Sequence, residues 1–80
     1  MEKDEIRNKL TEIIRDILDD ETILLSRKTV AKDIEDWDSL AHISIIVAIE
    51  KEFNVKFDLY DIKRLQNVGD MIDLIEVKIS

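Results

Sequence analysis

Few residues in this chain can form tight turns, because the sequence contains one Gly and no Pro. An all-β fold needs a tight turn after every short strand, and these two residues supply many of those turns. The shortage argues against an all-β fold and favours helices joined by a small number of loops. The 80 residues leave room for one core, so we expect a single all-α domain over residues 1–80.

The spacing of apolar residues predicts two longer helices in the first two thirds of the chain. From Glu5 to Leu18 apolar residues recur at steps of three and four, which is the period of an amphipathic helix. A second helix is predicted over residues 39–53. Asp38 fits its N-cap, and Asn54 fits a left-handed residue that ends it.

The rest of the sequence predicts a short helix and a third longer one. Asp58 and Asp61 fit an N-cap and a first-turn acid for the short helix, which holds Leu59, Ile62 and Leu65. Asn67 fits the N-cap of the last helix, with Asp70 in its first turn. That helix is expected to bury Val68, Met71, Ile72, Ile75 and Ile79. The predicted architecture is therefore a four-helix bundle.

A connection of about twenty residues separates the first two predicted helices, which is unusually long for a compact domain and is often functional. We expect a folded loop with a short helical turn. Its apolar residues are expected to dock it onto the bundle, and they are Ile23, Leu24, Leu25, Val30, Ile34 and Trp37.

The predicted second helix carries two apolar stripes. Ile45, Ile46, Ile49 and Phe53 share one face with His42, and Leu40, Ile43 and Val47 form the other stripe. A helix in a domain of this size can seldom bury both faces, so we expect one stripe in the core and one available to a partner. The alternative is that the loop around Leu24 and Trp37 covers the second stripe.

The composition excludes several functional classes. Acidic residues outnumber basic ones by 19 to 12, giving a net charge of −7, which disfavours nucleic acid and anionic lipid and suits partners with basic patches. The absence of Cys excludes disulfides, a thiolate nucleophile and a Cys metal site. The charged N-terminus and the lack of a long apolar run argue against a signal peptide and membrane insertion. We expect a cytoplasmic monomer.

The segment from Asp36 to Leu40 is the best candidate for a chemical site. It places Ser39 at the start of a predicted helix, where backbone N–H groups are unpaired and the helix dipole is positive. A phosphodiester is tolerated at such a position. Taken alone, the segment fits an ordinary helix cap equally well.

The stretch from Asp38 to Ile75 resembles the acyl carrier protein family in motif order and spacing. The matching motifs are Asp38-Ser39-Leu40, Ala48-Ile49-Glu50-Lys51-Glu52-Phe53, Val55-Lys56-Phe57 and Asn67-Val68-Gly69-Asp70. The resemblance implies a carrier, not an enzyme, in which Ser39 receives 4′-phosphopantetheine from coenzyme A through a phosphopantetheinyl transferase. Asp38 would cap the helix and contribute to transferase recognition. The arm's thiol would hold acyl groups as thioesters, and a chain without Cys must borrow any thiol that it uses.

Other serines compete with Ser39 in principle. Ser26 lies in the loop, Ser44 inside the second helix and Ser80 at the terminus. None of them has the Asp and Leu flanks of Ser39.

The resemblance also implies docking of acyl-loading and acyl-processing enzymes through basic or apolar patches. Carried over by position, the docking residues are Leu40, Ile43, Val47 and Glu50. Ala41 and Ser44 stand where carriers of fatty-acid synthesis usually have acids, and this departure indicates a specialised carrier.

Family members can also shelter the acyl chain between the second and third helices. The residues that would line this acyl pocket are Ile46, Ile49, Phe57, Ile62, Leu65, Met71 and Ile72. The bulk of Phe57 and Met71 predicts a small pocket and a short or polar cargo. Alternatively, these residues simply fill a core.

Three other functions are alternatives to an acyl carrier of fatty-acid, polyketide or related biosynthesis. An aminoacyl or peptidyl carrier also uses a Ser at a helix start, and an unmodified helical module could bind a partner through the Leu40 stripe. A hydrolase would need an orienting group beside His42 and Ser39, so we expect His42 to be a partly buried structural residue. The acids near Asp36 lack the central Gly of a calcium loop, and no dedicated metal site is expected.

Overall fold

The computed structural model describes residues 2–79, and within them it contains four α-helices and no strand. The helices are α1 (Lys3–Leu18), α2 (Ser39–Phe53), α3 (Leu59–Lys63) and α4 (Val68–Ile79), with a 3₁₀ turn at Ala31–Asp33 in the long loop. The all-α bundle and the short helical turn are therefore confirmed, although α1 begins two residues before the predicted Glu5. Ser80 lies outside the described residues. None of these helices is both long enough and apolar enough to cross a membrane.

The core forms where α1 packs against both α2 and α4. Each of these helices contributes the apolar stripe that its periodicity predicts. The helices contribute to the core cluster Ile6, Leu10 and Ile14 of α1, Ile45, Ile49 and Phe53 of α2, and Val68, Met71, Ile72 and Ile75 of α4. Ile79 is only partly buried and packs against the edge of this cluster.

Polar side chains cap the N-termini of α3 and α4, and a left-handed residue ends α2, as the sequence predicts. At α3 the Asp58 carboxylate accepts from the Asp61 amide at 2.7 Å, and the Asp61 carboxylate accepts from the Asp58 amide at 3.2 Å. Together they form a capping box. At α4 the Asn67 side-chain oxygen accepts from the Asp70 amide at 2.7 Å. Asn54 ends α2 in the left-handed conformation, with φ of 54°.

The prediction for α3 is wrong at its C-terminal end. The helix stops at Lys63, so Leu65 lies beyond it, and Leu59 is 68% exposed. The amides of Arg64 and Leu65 bond to carbonyls three residues back, which tightens the last turn and ends the helix shortly before α4. A salt bridge of 2.8 Å between Asp61 and Lys78 ties this short helix to α4.

The long loop is docked at several points. Ile23 and Trp37 are buried in the core, whereas the prediction for Leu24 is wrong, since its side chain is 81% exposed. Backbone hydrogen bonds join the loop to the start of α4, from the Val68 amide to the Thr29 carbonyl and from the Gly69 amide to the Arg27 carbonyl. A Cβ at position 69 would lie 3.0 Å from that carbonyl oxygen, so the close approach favours glycine.

Asp73 on α4 joins three parts of the chain through charged side chains. The Arg27 guanidinium donates to both carboxylate oxygens at 3.1 and 2.8 Å, and the Lys3 ammonium lies 3.1 Å from one of them. These bonds, with that of Arg27 contributing most, lower the pKa of Asp73 to about 2. Asp73 therefore links the loop and the start of α1 to α4.

Replacing Asp73 should lower stability in a pH-dependent way. Because the folded pKa of Asp73 lies below its ordinary 3.8, its contribution is present above that pH and is lost as pH falls through about 2. The melting temperature of Asp73→Asn should lie below that of wild type at neutral pH. Because Asp73, Arg27 and Lys3 are exposed to solvent, high salt should also reduce the difference in melting temperature between Asp73→Asn and wild type.

Circular dichroism melts over a pH and salt series measure this difference. Asp16→Asn is the matched control, because Asp16 is an exposed acid on α1 and should leave the melting temperature unchanged. A gap between Asp73→Asn and wild type that stays constant as pH approaches 2 would contradict the assignment.

Candidate functional site

Ser39 is the first residue of α2, and its side chain is exposed. Within residues 2–79 its hydroxyl has no hydrogen-bond partner. The hydroxyl of Ser26, by contrast, lies 3.2 Å from that of Thr29, and Ser44 sits in the body of α2, where backbone N–H groups are paired. Ser39 is thus the serine of α2 that combines an accessible hydroxyl with a helix N-terminus.

Asp38 caps α2 as predicted. Its backbone is extended, and its carboxylate accepts a hydrogen bond of 2.8 Å from the Ala41 amide. Its carbonyl accepts the first bond of the helix from the His42 amide at 2.9 Å. The side chain therefore satisfies one of the unpaired donors of the first turn, and the remaining donors keep that end electropositive.

The chain turns sharply before the cap, so that neighbouring residues point in different directions. Asp36 has φ of 71°, a left-handed conformation that Asp tolerates better than most residues, and its carbonyl accepts from the Asp38 amide at 3.0 Å. Trp37 is buried in the core, while Ser39 is exposed two residues later. The turn therefore exposes the serine on a segment that the buried side chain of Trp37 holds to the core.

The side chains of Trp37 and His42 bind each other at this site. The Trp37 indole Nε1–H donates to His42 Nδ1 at 3.1 Å, and the two rings stack with centroids 6.0 Å apart. Burial lowers the pKa of His42. The sequence predicts a partly buried structural His, which is what the fold shows, but not its partner. No local rule pairs residues five apart across a loop–helix junction.

The second apolar stripe of α2 faces solvent. Leu40, Ile43 and Val47 are 74%, 61% and 44% exposed, so the alternative that the loop covers them is wrong. The sequence from Ser39 to Ala48 contains no Asp, Glu, Lys or Arg. The first ten residues of α2 therefore present a surface that is apolar and lacks formal charge.

The acids near the end of α2 already have partners within the fold. The Glu50 carboxylate accepts from the Phe57 amide at 2.9 Å, which holds the connection to α3, and the Glu52 carboxylate lies 3.8 Å from the Lys9 ammonium. The local sequence around Glu50 does not predict its bond to the Phe57 amide, because this bond spans the turn after the helix.

The residues expected around an acyl chain lie in the bundle interior or at its edge. Ile46, Ile49, Met71 and Ile72 are buried, and Phe57, Ile62 and Leu65 are partly buried. Leu65 and Met71 line a cavity of about 30 Å³ together with Trp37 and His42, which is close to the volume of one water molecule. A more open groove of about 430 Å³ lies on α3 and α4, and none of its lining residues belongs to α2.

Known proteins resemble this chain over nearly its full length. The family model described as the phosphopantetheine attachment site matches residues 8–75. An acyl carrier protein of Acidothermus cellulolyticus is 33% identical over 75 residues, covering 94% of this chain and 89% of the relative. One from Thermotoga maritima is 30% identical over 78 residues, covering 98% and 96%.

A solved structure is also similar. The solution NMR structure of a holo acyl carrier protein from Geobacter metallireducens has 44% sequence identity and a TM-score of 0.86, and the match covers 91% of this chain and 84% of that one. The similarity therefore includes the helical fold as well as the sequence.

Removing the cap of α2 should destabilise the domain. Asp38→Ala loses the acceptor for the Ala41 amide and should lower the free energy of unfolding by about 1 kcal/mol. Asp38→Asn should remain close to wild type, because Asn caps helices equally well. Urea unfolding followed by circular dichroism measures both variants. If Asp38→Ala were as stable as Asp38→Asn, the side chain would not act as the cap.

Proposed function

Because the chain belongs to the acyl carrier protein family, whose members bear a covalent 4′-phosphopantetheine arm, we propose that Ser39 is the residue that carries this arm. The observation that supports the proposal most strongly is the exposed, unpaired hydroxyl of Ser39 at the N-terminus of α2. The phosphodiester would lie beside the free N–H groups of the first turn, which favour an anion. The arm supplies the thiol that holds acyl groups as thioesters.

In the proposed attachment step this chain supplies only the serine hydroxyl. The Ser39 hydroxyl oxygen would bond to the phosphorus that bears pantetheine in coenzyme A. The bond from that phosphorus to the bridging oxygen breaks, adenosine 3′,5′-bisphosphate leaves, and the serine proton passes to a base of the transferase. Nδ1 of His42 already accepts the Trp37 N–H, so we assign no proton transfer to it. The chain thus acts as a carrier and not as an enzyme.

Family members interact with phosphopantetheinyl transferases and with biosynthetic enzymes. We assign docking of these partners here to Leu40, Ile43 and Val47, because their exposed stripe begins beside Ser39. Glu50 lies at the far end of the stripe, and its carboxylate is bonded to the Phe57 amide. Its part in docking is a separate proposal, which can be tested by removing its charge alone.

The cargo that the interior favours is a short or polar acyl group. Ile46, Ile49 and Ile72, which were expected to line the acyl pocket, are already buried in the bundle, so a longer chain between α2 and α3 would have to displace packed side chains. The absence of charge from Ser39 to Ala48 further supports a carrier specialised for one pathway of fatty-acid, polyketide or related biosynthesis. A cytoplasmic monomer remains the proposed working state.

Ser39→Ala should abolish attachment of the arm. Wild type incubated with coenzyme A, magnesium and a broad-range phosphopantetheinyl transferase should gain the mass of one phosphopantetheine group. Ser39→Ala should gain none, and the matched control Ser44→Ala should behave as wild type. Intact-protein mass spectrometry measures the gain. Full modification of Ser39→Ala would assign the arm to another serine.

Ile43→Ser should weaken docking without unfolding the domain, because the Ile43 side chain is already 61% exposed. The KM of the same transferase for the carrier should rise about fivefold and should change little between about 50 and 500 mM salt. Leu24→Ser, which alters an exposed Leu of the loop, is the matched control.

Glu50→Gln keeps an acceptor for the Phe57 amide and removes only the charge. If the KM for Glu50→Gln matches that of wild type, the charge of Glu50 does not contribute to docking, and the apolar stripe alone is the docking surface. A higher KM would show that Glu50 contributes to docking. An unchanged KM in Ile43→Ser would rule the stripe out as the docking surface for this enzyme.

A further inference from the structure

Two side-chain hydrogen bonds join residues on either side of Ser39 in the sequence, and the outer pair of residues flanks the inner pair. The inner bond joins the Asp38 carboxylate to the Ala41 amide at 2.8 Å, and the outer bond joins the Trp37 indole to His42 Nδ1 at 3.1 Å. The inner bond is an ordinary helix cap, whereas the outer one connects the end of the loop to the first turn of α2. The serine therefore lies in a short segment that is fixed on both sides.

The outer bond has a firm support on the loop side. Trp37 is 7% exposed and belongs to the core cluster shared by α1, α2 and α4. Moving its ring would expose an aromatic surface and leave a void, both of which are costly. Because the indole is held in this way, its bond to His42 fixes the direction in which the first turn of α2 leaves the loop.

We propose that Trp37 and His42 form a clamp that positions Ser39 for attachment of the phosphopantetheine arm. The inference rests on the proposed function of Ser39 and goes beyond it, because it assigns a role to two residues that the attachment chemistry does not touch. Both are positioning residues. The clamp keeps the serine hydroxyl in one place relative to the docking stripe. A transferase that binds the stripe therefore finds this hydroxyl in a position that allows attachment.

The clamp requires a neutral His42. An indole N–H can only donate, so His42 Nδ1 must accept and cannot carry a proton. The other residues that line the adjacent cavity, from the loop, Leu65 and the start of α4, include no charged group. Within α2 no Asp or Glu precedes Glu50, and the carboxylate of Asp38, the N-cap residue, is bonded to the Ala41 amide. A proton on His42 Nδ1 would therefore point at the Trp37 N–H, which is itself a donor, and no charged group of the cavity lining would compensate it.

The pH dependence of the clamp follows from this environment. Burial lowers the pKa of His42 below its ordinary 6.5, and a depressed folded pKa means that protonation opposes the folded arrangement. The clamp is complete at neutral pH and opens as pH falls through the folded pKa of His42. Trp37 is the only Trp of the chain, so its fluorescence reports this change directly.

Three proteins test the clamp: wild type, Trp37→Phe and His42→Asn. Trp37→Phe keeps a buried aromatic ring and removes the N–H, whereas His42→Asn keeps an uncharged acceptor that does not titrate. The first measurement is steady-state transfer of phosphopantetheine from coenzyme A by a broad-range transferase, with kcat and KM determined separately. The second is the Trp37 emission of wild type and His42→Asn between pH 8 and 5, with helical content followed by circular dichroism.

We expect Trp37→Phe to lose about three- to tenfold in kcat/KM while its helical content matches that of wild type. His42→Asn should stay within about twofold of wild type. The Trp37 emission of wild type should titrate with a midpoint below pH 6.5, and that of His42→Asn should be flat over the same range.

Other outcomes overturn the clamp. Transfer to Trp37→Phe at the wild-type rate, or a wild-type emission that does not titrate, would show that the bond does not position the serine. Loss of helical content in Trp37→Phe would make Trp37 a packing residue only. A loss above about a hundredfold in His42→Asn would point to direct acid–base chemistry instead. If wild type itself accepted no arm, the proposed function of Ser39 would fail first.

Discussion

The start of α2 depends on one hydrogen bond, from the Ala41 amide to the Asp38 carboxylate. This bond fixes the residue at which the helix begins, and the helical period then decides which side chains face the core. Ile45 and Ile49 are fully buried, whereas Leu40 and Ile43 are exposed. Ser39 follows the cap directly, so the same bond places its hydroxyl at the solvent-exposed, electropositive end of the helix.

The bundle supports this site mainly through the long loop. Backbone bonds tie residues 27 and 29 to the start of α4, and Trp37 anchors the other end of the loop in the core. The resulting site is a fixed helix start that carries an exposed alcohol and is flanked by an apolar surface. Such an arrangement suits a carrier, because the reactive thiol belongs to the arm and the chemistry belongs to the partner enzymes.

The sequence predicts the features of this fold that arise from neighbouring residues. Asp38, Asp58 and Asn67 cap helices within three residues of themselves, and such local signals can be recognised without a structure. The Trp37–His42 bond and the bond from the Phe57 amide to Glu50 depend on how the chain returns on itself. For the same reason the expected burial of Leu24, which is 81% exposed, and the expected end of α3, which stops at Lys63, were wrong, because both depend on how the folded chain packs.

Mapping the arm on the wild-type protein tests most directly whether it is attached at Ser39. Trypsin should release residues 33–51 as one peptide that contains both Ser39 and Ser44, and fragmentation by tandem mass spectrometry separates the two positions. We predict phosphopantetheine on Ser39 alone. Phosphopantetheine on Ser44, or on the peptide that contains Ser26, would contradict it.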